Sequence, residues 1–218
     1  MEVEEIKEKI IRTATELFMK DGCKRVTMDN IASALHISKR TLYEIFANKE
    51  ELLMACINTI HEEIDINRKK LNSQVDEPIL LALFLMHNTA VANHHYDTFQ
   101  EDIQRYYPQI YTYFSQKHTQ QFHQELSNAL KEAQAKGIMR PNVDINQVFK
   151  TITNYMHSCR SGANKEEKDE WLLNVRETLY TYMRGLMTTD AIQRYDAQKE
   201  RFQQLFNVNE ENNQKNNL

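Results

Sequence analysis

Cationic side chains are concentrated near the N-terminus, between residues 20 and 49. This stretch holds six cations and three anions, a net charge of +3, within a chain whose formal net charge is −4. A local positive surface attracts phosphates even when the whole protein is acidic, so we expect any nucleic-acid contact to lie here. The cationic residues are Lys20, Lys24, Arg25, Lys39, Arg40 and Lys49.

Hydroxyl side chains stand where two short helices are predicted to begin. Thr27 precedes one amphipathic segment and Ser38 precedes the next, so each is expected to cap a helix. Thr41 lies in the first turn after Ser38. Because helix N-termini offer N–H groups and partial positive charge to phosphate oxygens, we predict phosphate contacts at these three residues.

The helix predicted from Lys39 to Phe46 has one apolar face, which includes Leu42 and Ile45. At about 100° per residue, the residues opposite this face point away from the core. They are Arg40, Tyr43 and Glu44, flanked by Lys39 and Thr41. Side chains of these types bond to phosphates and to base edges.

Two short helices joined by a turn of about three residues, packed on a longer first helix, form the skeleton of a helix-turn-helix. The first helix is expected to end at Gly22. Asn48 and Glu51 form a capping-box-like start for a long fourth helix, residues 48–70. Only four Gly and three Pro occur in the chain, too few for a many-stranded sheet, so we predict an all-α fold.

The segment TMDNIASALHISKRTLYEIFANKEELL resembles the DNA-binding signature of the tetracycline-repressor (TetR) family of bacterial regulators. The positions that carry the resemblance are Thr27, Ile31 and Ala32 for T-x-x-x-I-A, Thr41, Leu42 and Tyr43 for T-L-Y, and Phe46, Lys49 and Glu50 for F-x-x-K-E. The resemblance implies phosphate contacts for Thr41, Tyr43 and Lys49, and base-edge contacts for Lys39, Arg40 and Glu44.

Two positions depart from the family pattern. His36 occupies a turn position usually given to Gly, and His is among the residues that tolerate positive φ. Arg40 replaces a residue that is commonly Gly in the family, and its longer cation is expected to add a base or phosphate contact. Glu44 either accepts a hydrogen bond from a cytosine amino group or remains a solvated charge.

The chain is predicted to have a three-helix DNA-binding domain at residues 1–50 and a larger helical effector-binding and dimerisation domain at residues 51–206. The helix at 48–70 would link them, and a polar stretch ending at Pro78 would form the hinge. The Asn-rich segment 207–218 has little to bury and is expected to be disordered.

In the family, a cavity among the middle helices binds a small effector, and two long C-terminal helices form a four-helix dimer bundle. The predicted pocket residues are Phe84, Met86, Asn88, Tyr96, Phe99, Tyr106, Tyr107, Tyr111 and Phe114. The predicted dimer contacts are Phe149, Ile152, Tyr155, Met156, Trp171, Val175, Leu179, Met183 and Leu186. For any single aromatic residue, a place in the plain core is an equally good reading.

No metal or cofactor is expected. His87, His94, His95 and Cys159 lack a chelating spacing, and the three cysteines are far apart. The N-terminus is charged and the longest apolar run, Ile79–Met86, is too short to cross a bilayer, so we expect a cytoplasmic protein without membrane contact.

Together these features predict a homodimeric repressor that a small apolar or aromatic effector releases from a palindromic, double-stranded DNA operator. The alternatives are an activator, or a regulator that responds to a protein partner. An all-helical enzyme or a helical adaptor is less favoured, because the sequence has no phosphate loop, nucleophile elbow or HExxH motif.

Overall fold

The computed structural model describes residues 3–72, 75, 77–158 and 168–197. Within them the chain forms helices without a β-strand, apart from an isolated bridge between Met139 and Met187, so the predicted all-α fold is confirmed. The helices are α1 (Val3–Asp21), α2 (Met28–Ala34), α3 (Lys39–Ile45), α4 (Lys49–Asn72), α5 (Pro78–His95), α6 (Asp97–Tyr106), α7 (Pro108–Ala135), α8 (Ile145–Ser158), α9 (Lys168–Leu186) and α10 (Thr189–Asp196).

The short N-terminal helices begin at the predicted caps. Thr27 Oγ1 accepts a hydrogen bond from Asn30 N at 3.2 Å, and Asn30 Oδ1 accepts from Thr27 N at 2.9 Å, which completes a capping box. Before α4, Asn48 Oδ1 accepts from Glu51 N at 2.8 Å, while Glu51 Oε2 accepts from Ala47 N at 2.7 Å. These local bonds satisfy backbone donors that the helices themselves leave free.

The described residues divide into two compact units with separate cores. Unit 1 comprises Met1–Lys70 and Ala92–Thr119, and unit 2 comprises Leu71–Val91 and Gln120–Leu218. The first change of unit falls within the polar stretch before Pro78. Compactness does not reveal which residues bind DNA, so the functional boundary predicted at residue 50 stays a prediction.

The core of unit 1 joins the N-terminal helices to α6 and the start of α7. Ile10, Phe18 and Leu42 are fully buried in it, together with Phe99 and Phe114 at 6 % and 5 % exposure. Burial of such side chains stabilises each by about 1.5–3 kcal/mol. The core therefore packs α6 onto the helix-turn-helix.

A histidine pair lies between α4 and α7 within unit 1. The rings of His61 and His118 are stacked with their centroids 3.4 Å apart, and the ring of Phe114 also stacks on His61, at 5.4 Å between centroids. His61 Nδ1 and His118 Nε2 are buried without a hydrogen-bond partner. Burial lowers the pKa of His61 to about 3 and also lowers the pKa of His118.

Unit 2 has its own core around α5, which is apolar on nearly all sides. Ile79, Leu85 and Met86 are at most 1 % exposed. Gly137 follows α7 with φ +68°, the left-handed conformation in which a glycine commonly ends a helix. The segment 207–218, which is expected to be disordered, lies outside the described residues.

Candidate nucleic-acid interface

The turn between α2 and α3 has the backbone conformation expected from its sequence. His36 has φ +54°, which confirms the predicted left-handed residue at the position that usually carries Gly. Ile37 N donates to Ala32 O at 3.0 Å and His36 N donates to Ser33 O at 3.2 Å, so the turn is closed by backbone bonds. This geometry fixes where α3 begins.

The two faces of α3 are those that the helical periodicity predicts. Leu42 is fully buried and Phe46 is 3 % exposed, whereas Tyr43 is 49 % exposed. The side chains of Arg40 and Glu44 are 88 % and 60 % exposed. The outward face of α3 therefore presents a guanidinium, a phenol and a carboxylate to solvent.

Two ion pairs on this surface were not predicted. Arg40 Nε donates to Glu44 Oε1 at 2.8 Å, and Lys39 Nζ contacts Asp29 Oδ2 on α2. Exposed pairs of this kind contribute only about 0.2–1 kcal/mol each. Both are therefore weak enough for DNA to replace them. The Arg40–Glu44 spacing of four residues was readable from the sequence, but the Asp29 partner depends on how α2 and α3 pack.

The hydroxyl groups at the helix starts are held by local bonds. Ser38 Oγ accepts from Thr41 N at 3.0 Å, as predicted for a cap, and lies 2.8 Å from Thr41 Oγ1. Thr27 Oγ1 donates to Asn30 Oδ1 at 2.7 Å. Thr27 N also donates to Asn30 Oδ1, so the hydroxyl donor and the backbone donor of Thr27 are both used within the capping box.

Three of the cations outside α3 differ in their surroundings. Arg25 Nε donates to Asp21 O at 2.8 Å on the exposed end of α1. Lys24 is also exposed, and its Nζ lies 4.8 Å from the centre of the Tyr106 ring. Lys49 is half-buried, and burial lowers its pKa.

The α1–α2 turn contacts α6 through one acidic residue, which sequence reasoning missed. Cys23 N donates to Asp102 Oδ2 at 2.7 Å, across 79 residues of chain. Gly22, with φ +85°, leaves the space for this carboxylate, since a Cβ there would lie 2.7 Å from Asp102 Oδ2. The burial of the Cys23 thiol raises its pKa to about 12, so it is held as the neutral thiol.

The predicted pocket residues are divided between the two units. Tyr96, Phe99, Tyr107, Tyr111 and Phe114 are in or packed against the core of unit 1, and Tyr106 lies beneath Lys24. Phe84, Met86 and Asn88 belong to unit 2, and the Asn88 Nδ2 is buried without a hydrogen-bond partner. A ligand-binding role for these residues stays a prediction.

The predicted dimer contacts lie mostly within unit 2. Ile152, Met156, Val175, Leu179 and Met183 are in its core, and Phe149, Tyr155 and Leu186 pack partly buried against that core. The side chain of Trp171 is outside the described residues. Of the described residues of α8 and α9, Leu173 is the large apolar side chain left exposed, at 48 %. A Cβ at Gly185 would meet nothing within 4 Å.

The part of the chain that the structure describes contains no group of three or more His, Cys, Asp or Glu arranged to hold a metal ion. Cys23 and Cys56 are buried and free. His87 is 3 % exposed within unit 2, whereas Cys159 and the side chains of His94 and His95 are outside the described set. No described helix is long and apolar enough to cross a membrane.

Residues 10–56 match the family model of bacterial regulatory proteins, tetR family. Among curated proteins, the HTH-type transcriptional regulator TcmR of Streptomyces glaucescens is 38% identical over 56 residues, 26% of this chain and 25% of TcmR. The biofilm operon icaADBC HTH-type negative transcriptional regulator IcaR of Staphylococcus aureus is 33% identical over 75 residues, 33% of this chain and 40% of IcaR. The match thus spans less than half the length of either relative.

A likeness in fold extends further along the chain than the likeness in sequence. The crystal structure of a TetR transcription regulator from Haloarcula marismortui aligns with a TM-score of 0.72, over 85% of this chain and 100% of that one. The two are 15% identical in sequence. The helical domain behind the helix-turn-helix therefore shares its architecture with that protein.

Proposed function

Since residues 10–56 match the family model of bacterial regulatory proteins, tetR family, we propose that the chain belongs to this family and is a transcriptional regulator that represses genes by binding an operator. Its relatives TcmR and IcaR are transcriptional regulators, and IcaR is a negative one. The proposal assigns sequence reading to α3 and phosphate binding to the residues around it.

The outward face of α3 is the observation that carries this proposal. Arg40 offers two N–H donors that fit the O6 and N7 acceptors of guanine, and Glu44 fits the amino group of cytosine. Tyr43 and Thr41 stand beside them with hydroxyls suited to phosphate oxygens. In the free protein Arg40 Nε and Glu44 Oε1 are 2.8 Å apart, so this ion pair would have to open before both side chains contact bases.

Operator binding would involve a homodimer in the cytoplasm. Two-fold symmetry places two α3 helices about 34 Å apart, on successive major grooves, so the operator is a palindrome. Contacts between the α8 and α9 helices of two copies would hold the dimer. Light scattering of the purified chain tests this. A mass near 25.9 kDa would mean a monomer, which has no two-fold symmetry to match a palindromic operator.

An effector would regulate this binding from unit 2. The buried Asn88 Nδ2 without a partner supports a polar contact to a small apolar or aromatic ligand at this point. Such a ligand shifts the protein only if it binds the DNA-free conformation more tightly. The second candidates, activation of transcription or control by a protein partner, use the same DNA-reading helix.

Substitution of Arg40 and Tyr43 by Ala tests the function directly. Both side chains are exposed, so we expect the variant to keep its helical content and unfolding midpoint while its affinity for the operator falls at least tenfold, since each base contact contributes about 1–3 kcal/mol. Tyr113→Ala is the matched control, because Tyr113 is 58 % exposed on α7. A helical enzyme or adaptor would be indifferent to both changes.

A further inference from the structure

Two lysines of the stretch predicted to contact DNA are engaged within the protein itself. Lys24 Nζ lies 4.8 Å from the centre of the Tyr106 ring. Lys49 Nζ lies 5.9 Å from the Tyr107 ring and 5.8 Å from the Phe18 ring, and donates to Lys24 O at 3.5 Å. Both tyrosines belong to one short piece of chain at the end of α6.

Asp102, one turn before Tyr106, adds a negative charge to the same region. Its Oδ2 accepts from Cys23 N at 2.7 Å, in the turn that also carries Lys24. The charge of Asp102 favours the charged form of Lys49, although burial lowers the pKa of that lysine overall. We call Asp102, Tyr106 and Tyr107 the α6 contact.

A phosphate that an ammonium group cannot reach from its place over a ring binds that group only if the lysine side chain leaves the ring. Cation–π contacts at exposed sites are weak enough to exchange with an operator, yet strong enough to change an affinity measurably. Lys24 is exposed and Lys49 is half-buried, and each has its Nζ over an aromatic ring, so each has a ring contact to give up. The aromatic rings within the protein and the phosphates of the operator therefore compete for the same two lysines.

We propose that the α6 contact is an internal competitor of operator phosphates, which positions Lys24 and Lys49 and thereby sets the affinity for DNA. The inference rests on the proposed function. It makes α6 a point of regulation, because α6 is joined at its two ends to α5 and α7, which also contribute residues to unit 2. A change that tightens the α6 contact lowers affinity, and one that loosens it raises affinity.

Tyr106 offers the most direct test. The probe is a duplex that the wild-type full chain enriches from a random DNA pool, and the measurement is the dissociation constant over a range of salt concentrations. Tyr106→Leu is expected to bind about two- to fivefold more tightly. Its log affinity should also depend more steeply on log salt, by about 0.9, because one more phosphate is neutralised.

Three further variants separate this role from a structural one. Tyr106→Phe keeps the ring and is expected to behave as wild type, and Tyr113→Leu, on an exposed tyrosine without a described cation contact, is the control. Tyr106→Leu in a Lys24→Ala background should give no gain. Asp102→Asn keeps an oxygen for Cys23 N–H but removes the charge, and should bind more tightly.

The outcomes distinguish the inference from the function on which it rests. If Tyr106→Leu binds the duplex as wild type does, or more weakly, the competition is wrong while the regulator remains. If adding Lys24→Ala to Tyr106→Leu leaves the salt dependence of that variant unchanged, the freed Lys24 does not contact phosphate and the inference also fails. If the wild-type chain enriches no duplex, the proposed function itself fails.

Discussion

Arg40 and Glu44 are the two charged residues of α3 that we propose to contact base edges. Helical periodicity placed both on the outward face of α3, and the structure joins them by a 2.8 Å ion pair. In DNA the pair would separate, since a bond between exposed charges is easily replaced by base contacts. Asp29, which holds Lys39, escaped the sequence analysis because the contact spans two helices.

His36 stands where the family usually has Gly, and its backbone has the positive φ that favours Gly. Its φ of +54° is a conformation that costs an L-residue about 1–2 kcal/mol, which glycine avoids. We expect His36→Gly to raise the free energy of unfolding by up to about 1 kcal/mol, after the entropy that glycine loses on folding. His36→Val should lower it by about 1–3 kcal/mol, because a branched side chain is strained there.

Urea unfolding of the three proteins measures these differences. We expect the protein with Gly at position 36 to be the most stable, the wild type with His to be intermediate, and the protein with Val to be the least stable. An equal or reversed order would mean that the turn relaxes away from positive φ, and that the correspondence between His36 and the family's glycine is accidental.

At the scale of helices, the features that could be predicted are those that depend on residues close together in the sequence. The caps at Thr27, Ser38 and Asn48 and the faces of α3 follow from spacing within one or two turns, and the structure confirms them. The bond between Cys23 and Asp102 joins residues 79 positions apart. No local pattern marks such a partner, since an acidic residue on a helix is ordinarily a solvated charge.

The stacking of α4 on α7 through His61 and His118 predicts a dependence of stability on pH. The pKa of His61 in the folded state is about 3, below its ordinary value near 6.5, so the unfolded state binds more protons between these values. The free energy of unfolding should therefore fall as pH decreases from about 6.5 towards 3, by at most about 1.4 kcal/mol per pH unit for this imidazole. His118, near Asp65 and Lys117, contributes in the same direction.

The matched variant is His61→Phe, which keeps an aromatic ring against Phe114 and His118 but cannot gain a proton. In urea unfolding at several pH values, the free energy of unfolding should fall less steeply with decreasing pH for His61→Phe than for the wild type. Parallel curves would assign the loss to other groups, such as His87, whose pKa burial lowers to about 4.

At the scale of the whole molecule, the sequence predicts more about the function of the N-terminal helices than about the function of unit 2. The helix-turn-helix was predictable because caps, periodicity, local charge and a spaced family signature all concern the same sixty or so residues. The sequence of unit 2 shows apolar helices but cannot separate an aromatic residue in the core from one in a pocket. Predicted dimer residues such as Val175 and Leu179 illustrate this, because a single chain already buries them.

The central claim is that the chain reads a specific operator as a symmetric dimer. Selection of duplexes from a random pool by the full chain, performed at low and at high salt, tests it most directly, because electrostatic binding weakens with salt whereas base contacts retain their preference. The account predicts enrichment of one palindrome at both salt concentrations, with half-sites about one helical turn apart. Enrichment of no common sequence, or binding that vanishes at high salt without any preference, would contradict it.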